Sequence, residues 1–269
     1  MSDKKDPASV SRVVVPKLGV NQRSAGAGLT GLIGFLLLGL VSLLFFVTEN
    51  YFIAMFIISV ALMVYVTGLD IAKIMVSSFT IFFSSRHLIE KGVHLQETMF
   101  ALNKSLNLKR DEKGEILVGP LPQEAVLVLP DNPLVRDIQC LIREERSLDY
   151  AAYLAHSYYV ECHELYDYAN GNLEFVADAM PLFGLIGTIV GLIAMFDGLG
   201  ANVTIESLTP QLALALKTTL YGAVFASLYK IISSRFDQRL KALEYDYETF
   251  LRAIEVIVQN KNVIEVKSS

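Results

Sequence analysis

Gly28–Val47 limits the fold of this chain more than any other feature, because the whole run carries no charged residue. An α-helix rises about 1.5 Å per residue, so about 20 apolar residues cross a hydrocarbon core roughly 30 Å thick. Thr48, Glu49 and Asn50 separate that run from a second uncharged one, Tyr51–Leu69. A third run covers Met180–Phe196. A fourth goes from about Leu212 to Ile232 and holds two charges, Lys217 and Lys230. The segment Asp197–Pro210, with Gly198, Gly200 and Asn202, joins these last two. The expected fold is an all-α membrane protein, with four transmembrane helices in two hairpins and long cytoplasmic helical extensions. The first run is too long for a signal peptide, follows 27 mostly polar residues and lacks a small-x-small cleavage pattern after it.

Composition agrees. Apolar residues make up 53% of the chain, charged residues 19%, and the mean hydropathy is +0.44, which excludes a disordered chain. Net charge is -5 with no basic stripe, which argues against nucleic acid as a partner. Cys140 and Cys162 lie in the polar middle of the chain and suggest a reducing compartment.

Positive charge sets the expected orientation. Residues 1–27 hold Lys4, Lys5, Arg12, Lys17 and Arg23, whereas the two short turns hold no Lys or Arg. Both termini and the middle segment are therefore expected in the cytoplasm. The resulting divisions are a cytoplasmic segment 1–27, hairpin one 28–69 (spans 28–47 and 51–69) and a cytoplasmic helical domain 70–179. Hairpin two, 180–233 (spans 180–197 and 210–233), and a cytoplasmic C-terminal helix 234–269 complete the chain.

The apolar pattern runs on past Leu69 through Ile71, Ile74, Phe79 and Phe82, which predicts one long helix from span two to Arg86. Another helix is expected around Leu88–Leu106. Glycines and prolines break the pattern from Gly114 to Pro133, with a short extended piece at Ala125–Leu129. Helix resumes from about Pro133, punctuated by a capping signal at Ser147 and by Asn170-Gly171-Asn172. After span four, Phe236, Leu240, Leu243, Tyr247, Phe250, Ile254 and Ile257 form a seam spaced alternately four and three. Such a seam suits either self-association or packing on the chain's own cytoplasmic domain.

The spans differ in texture. The first two are dominated by Leu, Phe, Ile and Val. Span three aligns Gly184, Gly187, Thr188 and Gly191 on one face, and span four aligns Ala215, Thr219, Gly222 and Ala226. Small stripes let membrane helices approach closely, and hydroxyls add bonds between them. Thr188 and Thr219 lie at similar depth, roughly 12–16 Å from the ends at which their helices start. They could line a narrow polar path, or each could merely bond its own i-4 carbonyl.

The segment ADAMPLFGLIGTIVGL, followed by TPQLALALKTTLYGAVFASL, resembles the MotA/TolQ/ExbB ion-channel family. The four-span layout, the stretch NPLVRDIQCLIR and the helix before Pro181 resemble its MotA branch. The resemblance implies a homopentamer in the bacterial inner membrane around two copies of a single-span partner of the MotB/TolR/ExbD type. That partner carries an intramembrane Asp, and flow of H⁺ or Na⁺ turns the ring around it. Thr188 and Thr219 match the pore threonines, and Thr218 completes a double threonine seen in sodium-type members. Pro181 matches the proline that opens span three, while Gly184, Gly187, Gly191 and Gly222 match close-packing glycines. Two positions depart from the pattern. Lys230-Ile231-Ile232 stands where the MotA branch has a proline, and Lys217 replaces an apolar residue.

No Asp or Glu lies inside any of the four spans, Asp197 standing at the outer end of span three. Ion relays through membranes normally use a carboxylate, so a partner has to supply one. A membrane scaffold that conducts nothing is the other reading. No catalytic constellation suggests an enzyme, and no cofactor is expected beyond the transported ion. Lys217 could snorkel, pair with another subunit, or lower the pKa of the partner's Asp. Asp178 could guide a cation at the cytoplasmic mouth or cap span three. His156, Glu161, Cys162 and His163 match no zinc spacing. Glu90, Lys91, Glu97, Lys104 and Arg110 form a solvated face or a contact for a cytoplasmic rotor.

Overall fold

The computed structural model describes residues 25–83, 87–106, 109–110, 116–117, 125–143, 148–198, 205–259 and 264–268. Residues 1–24, with their five basic side chains, lie outside these, as do Ser147, Gly200 and Asn202. Helix α1 (Ala25–Val47) ends in a tight turn closed by Glu49 at φ 60°, and α2 (Tyr51–Thr67) returns alongside it. Ser42 Oγ donates to the Ala54 carbonyl across the pair at 2.8 Å. A side chain on Gly31 would come within 2.7 Å of the Tyr65 carbonyl. Bulky texture outside therefore coexists with a small-residue seam inside, which the bulk composition of these spans hid.

The expected continuous helix from span two to Arg86 does not form. Gly68, at φ 57°, ends α2, a 3₁₀ turn (Gly68–Asp70) follows, and α3 (Ile71–Phe83) leaves in a new direction. Only glycine adopts that backbone conformation without strain. Helix α4 (Glu90–Leu106) comes next. Strands β1 (Lys109–Arg110) and β2 (Ile116–Leu117) pair antiparallel. Strand β3 (Ala125–Leu129) matches the expected extended piece, and α5 (Pro133–Arg143) follows it.

Two helices dominate the molecule. Helix α6 (Leu148–Asp197) has 50 residues and α7 (Ile205–Gln259) has 55. At about 1.5 Å per residue they reach about 75 and 82 Å, more than twice a bilayer's hydrocarbon thickness. Helix α6 passes through Asn170-Gly171-Asn172 without interruption. Packing on α7 overrides the weak local propensity there, and Ser233 Oγ donates to Asn170 Oδ1 at 2.6 Å. The heptad seam is buried within the chain: Phe236, Leu243, Phe250 and Ile257 have almost no exposed surface. They pack in one core with Tyr166 and Leu173 of α6 and Leu95 of α4. The chain's last segment is not helical to residue 269. Helix α7 stops at Gln259, and β4 (Ile264–Ser268) pairs in parallel with β3. The alternating, β-branched Ile264-Glu265-Val266 suits a strand.

Among the described residues, three helices are long and apolar enough to cross a membrane: α1, α6 and α7. Helix α2, with 17 residues, is a shorter apolar helix. Leu36, Leu37, Leu40, Leu43 and Leu44 of α1 are each more than 60% exposed, as is Leu216 of α7. Contiguous apolar surface on that scale is unsuited to water, and the chain has the character of a membrane protein.

Candidate functional site at the α6/α7 edge

Glycines set how closely α6 and α7 approach. A Cβ on Gly184 would lie 3.2 Å from the Thr218 carbonyl and from Thr219 Cα. One on Gly191 would lie 2.8 Å from the Gln211 carbonyl, and one on Gly222 would lie 2.9 Å from the Met180 carbonyl. Ala215 is buried in the same seam and Ala226 is half-buried beside it. Backbone thus meets backbone, as the two small stripes predict.

This approach brings the three threonines together. Thr188 Oγ1 lies in very short contact with Thr219 Oγ1 and also reaches the Gly184 carbonyl at 3.1 Å and the Ala215 carbonyl at 3.2 Å. Thr219 Oγ1 donates to the Ala215 carbonyl at 3.0 Å. The local i-4 bond is therefore present at both threonines, together with a contact between the two helices. Each hydroxyl owns one proton and two lone pairs. With Thr219 donating to Ala215 and Thr188 donating to Thr219 or Gly184, lone pairs stay open for water or a cation. Thr219 is exposed and Thr188 is half-buried.

Thr218 sits differently. It is fully buried, and its hydroxyl bonds the Leu214 and Ala215 carbonyls at 3.0 and 3.1 Å. Its side chain fills the space over Gly187, where an added Cβ would come within 2.5 Å of it. It spaces the helices, while Thr188 and Thr219 form the open edge.

Pro181 is exposed within α6 and removes one donor from the helix ladder. Asp178 caps nothing, because α6 starts 30 residues earlier, at Leu148. Instead Lys230 Nζ lies 2.7 Å from Glu174 Oε1 and 3.9 Å from Asp178 Oδ1, tying α7 to α6. The position that departs from the family pattern thus holds an ion-pair cluster that the sequence reading did not identify. Two acids one turn apart on α6 were the available signal. Lys217 is exposed. Tyr221, one turn further along α7, meets Phe52 of α2 at 5.4 Å between ring centres. Lys217 therefore lies on the side of α7 turned towards α2, away from the threonine edge.

In the remaining helical parts, Tyr166 Oη accepts from the Leu88 N–H at 3.0 Å and lies 3.0 Å from His87 Nδ1. His87 Nε2 is 3.9 Å from Asp246. This group ties the start of the α4 segment to both long helices. Burial pushes the Tyr166 hydroxyl up to about 12. The residues weighed for a metal have other neighbours. Glu161 pairs with Lys91 at 2.6 Å, and His156 Nδ1 lies 3.5 Å from Tyr247 Oη. Cys162 is buried against Gly92, where an added Cβ would come 2.8 Å from its sulfur. Lys91, from the face weighed for a rotor, is held by that internal pair.

Comparison with known proteins matches the same region. A model of the MotA/TolQ/ExbB proton channel family fits residues 148–249. Motility protein A of Aquifex aeolicus (strain VF5) is 39% identical over 95 residues, 35% of this chain and 36% of that protein. A putative biopolymer transport protein ExbB homolog of Methanothermobacter thermautotrophicus is 32% identical over 78 residues, 28% of each chain. Chemotaxis protein PomA of Vibrio alginolyticus is 35% identical over 65 residues, 24% of each. The chain spans about a third or less of the length of these curated relatives. The matched residues cover the paired lengths of α6 and α7, with the glycine seam and the threonine edge between them, and this part of the chain is a MotA/TolQ/ExbB family domain.

Proposed function

We propose that this chain is the A-type subunit of an ion-driven rotary motor or stator in a bacterial inner membrane. Four spans, α1, α2 and the apolar parts of α6 and α7, cross the bilayer, with both termini and the long helical extensions in the cytoplasm. Five copies surround two copies of a single-span partner of the MotB/TolR/ExbD type. The family domain and relatives named for motility, chemotaxis and biopolymer transport support this reading. One observation carries it: two hydroxyls meet on an open edge of the glycine-tight helix pair, and no carboxylate stands inside any span, Asp197 being at an outer end.

Under this proposal Thr188 and Thr219 hold water or a dehydrating cation beside the partner's Asp, which binds and releases the ion. Thr218 fixes the spacing that brings them together. Hydroxyls do not titrate in this range, so the partner's carboxylate carries the proton-coupled or Na⁺-coupled step. The membrane potential supplies about 2.3 kcal/mol per charge per 100 mV, and the pentamer's rotation around the partner converts it into torque.

The test is ion flux in cells that co-express the partner. Thr219→Ala should abolish most of the flux and Thr219→Ser should retain it, with equal amounts of assembled complex. Flux that never exceeds background in the wild type would support a scaffold instead. Flux unaffected by Thr219→Ala would remove the threonine edge from the path.

A further inference from the structure

The break at Gly68 leaves a space that the rest of the chain does not fill. Helix α3 departs from α2 and encloses, with α7, a cavity of about 410 Å³. That volume falls among pockets that hold small organic ligands. Its walls include Ser59 and Met63 of α2, Met75, Ser78 and Phe82 of α3, and Tyr229 of α7. Almost all of that lining is apolar. Met75, Phe79 and Phe82 of its α3 wall are 64%, 70% and 44% exposed, so the cavity borders the apolar surface along α3.

Two polar features qualify this apolar space. Ser78 Oγ is buried and has no hydrogen-bond partner among the described residues. Leaving a buried hydroxyl unpaired is unfavourable, and an incoming acceptor would relieve it. Tyr229 Oη and Ser59 Oγ, also in the lining, already meet each other at 3.4 Å. Beside the cavity, the Arg235 guanidinium sits over the ring of Phe82, a lining residue, 5.8 Å from its centre, and its Nη1 donates to Gln238 Oε1 at 3.2 Å. An apolar cavity, an unpaired donor in its wall and a cation beside it match one ligand chemistry. Helix α3 carries no Asp or Glu to oppose an anion there. Arg235 lies just past the cytoplasmic end of span four, the level at which anionic headgroups gather.

The geometry points to a bound anionic phospholipid: one acyl chain fills the α2–α3–α7 cavity, Ser78 donates to the ester region, and Arg235 pairs with the phosphate. This inference rests on the membrane placement proposed above, but not on ion conduction. Helix α3 then lies in the interface, its exposed aromatic residues in the acyl boundary.

The experiment places the full-length protein in bilayer discs of phosphatidylcholine containing a minor fraction of phosphatidylglycerol. The probe is either lipid carrying a photoactivatable group in its acyl chain, and adducts are mapped by mass spectrometry. Adducts of the phosphatidylglycerol probe should concentrate on Met63 and Met75 over Leu40 and Leu44 of α1. Arg235→Gln should reduce the preference for phosphatidylglycerol about fivefold, the weight of one basic group at an anionic surface. Val60→Phe, which narrows the cavity from its own lining, should remove the cavity adducts and leave those on α1. Cavity adducts no more frequent than those on α1, or a lipid preference unchanged by Arg235→Gln, would overturn the inference. So would a disulfide joining two copies through Met75→Cys, since a second copy would then cover the α3 wall of the cavity. Absence of adducts on α1 as well would refute the membrane placement itself, and the lipid site with it.

Discussion

Two glycines on one helix should respond oppositely to the same substitution. At Gly187 an added Cβ would stand 2.5 Å from Thr218 Cβ and Oγ1 and 2.8 Å from Cγ2. Carbon atoms in good contact sit about 3.5–4.0 Å apart, so α6 and α7 would have to separate by about 1 Å or more. Thr218 cannot rotate out of the way, because its Cβ is among the atoms struck. Overpacking of this kind costs about 1–3 kcal/mol. Separation would also pull Thr188 from Thr219, each the next residue along its helix from the clash. At Gly171, on the same helix, an added Cβ meets nothing within 4 Å. There Ala gains the usual advantage over Gly inside a helix, about 0.5–1 kcal/mol. Thermal unfolding in detergent should therefore place Gly187→Ala below the wild type and Gly171→Ala above it. Pairing Gly187→Ala with Thr218→Gly removes the struck side chain and should recover part of the loss. Equal midpoints for Gly187→Ala and the wild type would refute the close approach of these helices.

Other outcomes follow from the same structure. Phe250→Ala, at a fully buried seam position, should lower stability by about 3–5 kcal/mol in denaturant unfolding; a loss below 1 kcal/mol would mean that the seam does not hold the long helices together. A maleimide should label exposed Cys140 in native membranes and reach buried Cys162 only after unfolding. Burial pushes the Cys162 thiol up to about 11, which favours the neutral thiol in the fold. Its contribution is complete below the free thiol's range, about 9, and is lost as pH rises through about 11. Alkaline unfolding that is unchanged in Cys162→Ala would contradict this. Lys217→Leu should leave the pH dependence of function unaltered, because Lys217 lies on the α2 side of α7; a shifted profile would show that its charge reaches the partner.

Much of this was legible in the sequence because membrane constraints are coarse and strict. Uncharged runs of about 20 residues, and small residues at helical spacing, allow few arrangements. The stripes Gly184–Gly191 and Ala215–Ala226 therefore predicted the tight pair directly. Less local facts were hidden. Asn170-Gly171-Asn172 reads as a break, yet contacts with α7, such as Ser233, 63 residues further along the chain, carry the helix through it. Gly68 sits in an apolar run where a glycine usually passes unnoticed, and only its positive φ turns α3 away. Strand β4 becomes visible as a strand only when its partner β3, more than 130 residues earlier, is placed beside it. The separate roles of Thr218 and Thr219 depend on a rotation of 100° around one helix, which sequence spacing alone did not tie to a neighbour.

The central claim is that the exposed Thr188/Thr219 edge faces the partner's ion-binding carboxylate rather than lipid. Cross-linking tests it most directly. Thr219→Cys would be introduced into the otherwise cysteine-free chain and co-expressed with the partner bearing single cysteines along its span. The account predicts a disulfide to a position within one helical turn of the partner's Asp, and no labelling of Thr219→Cys by a lipid-soluble maleimide. Ready labelling from the lipid phase, with no cross-link to the partner, would contradict it.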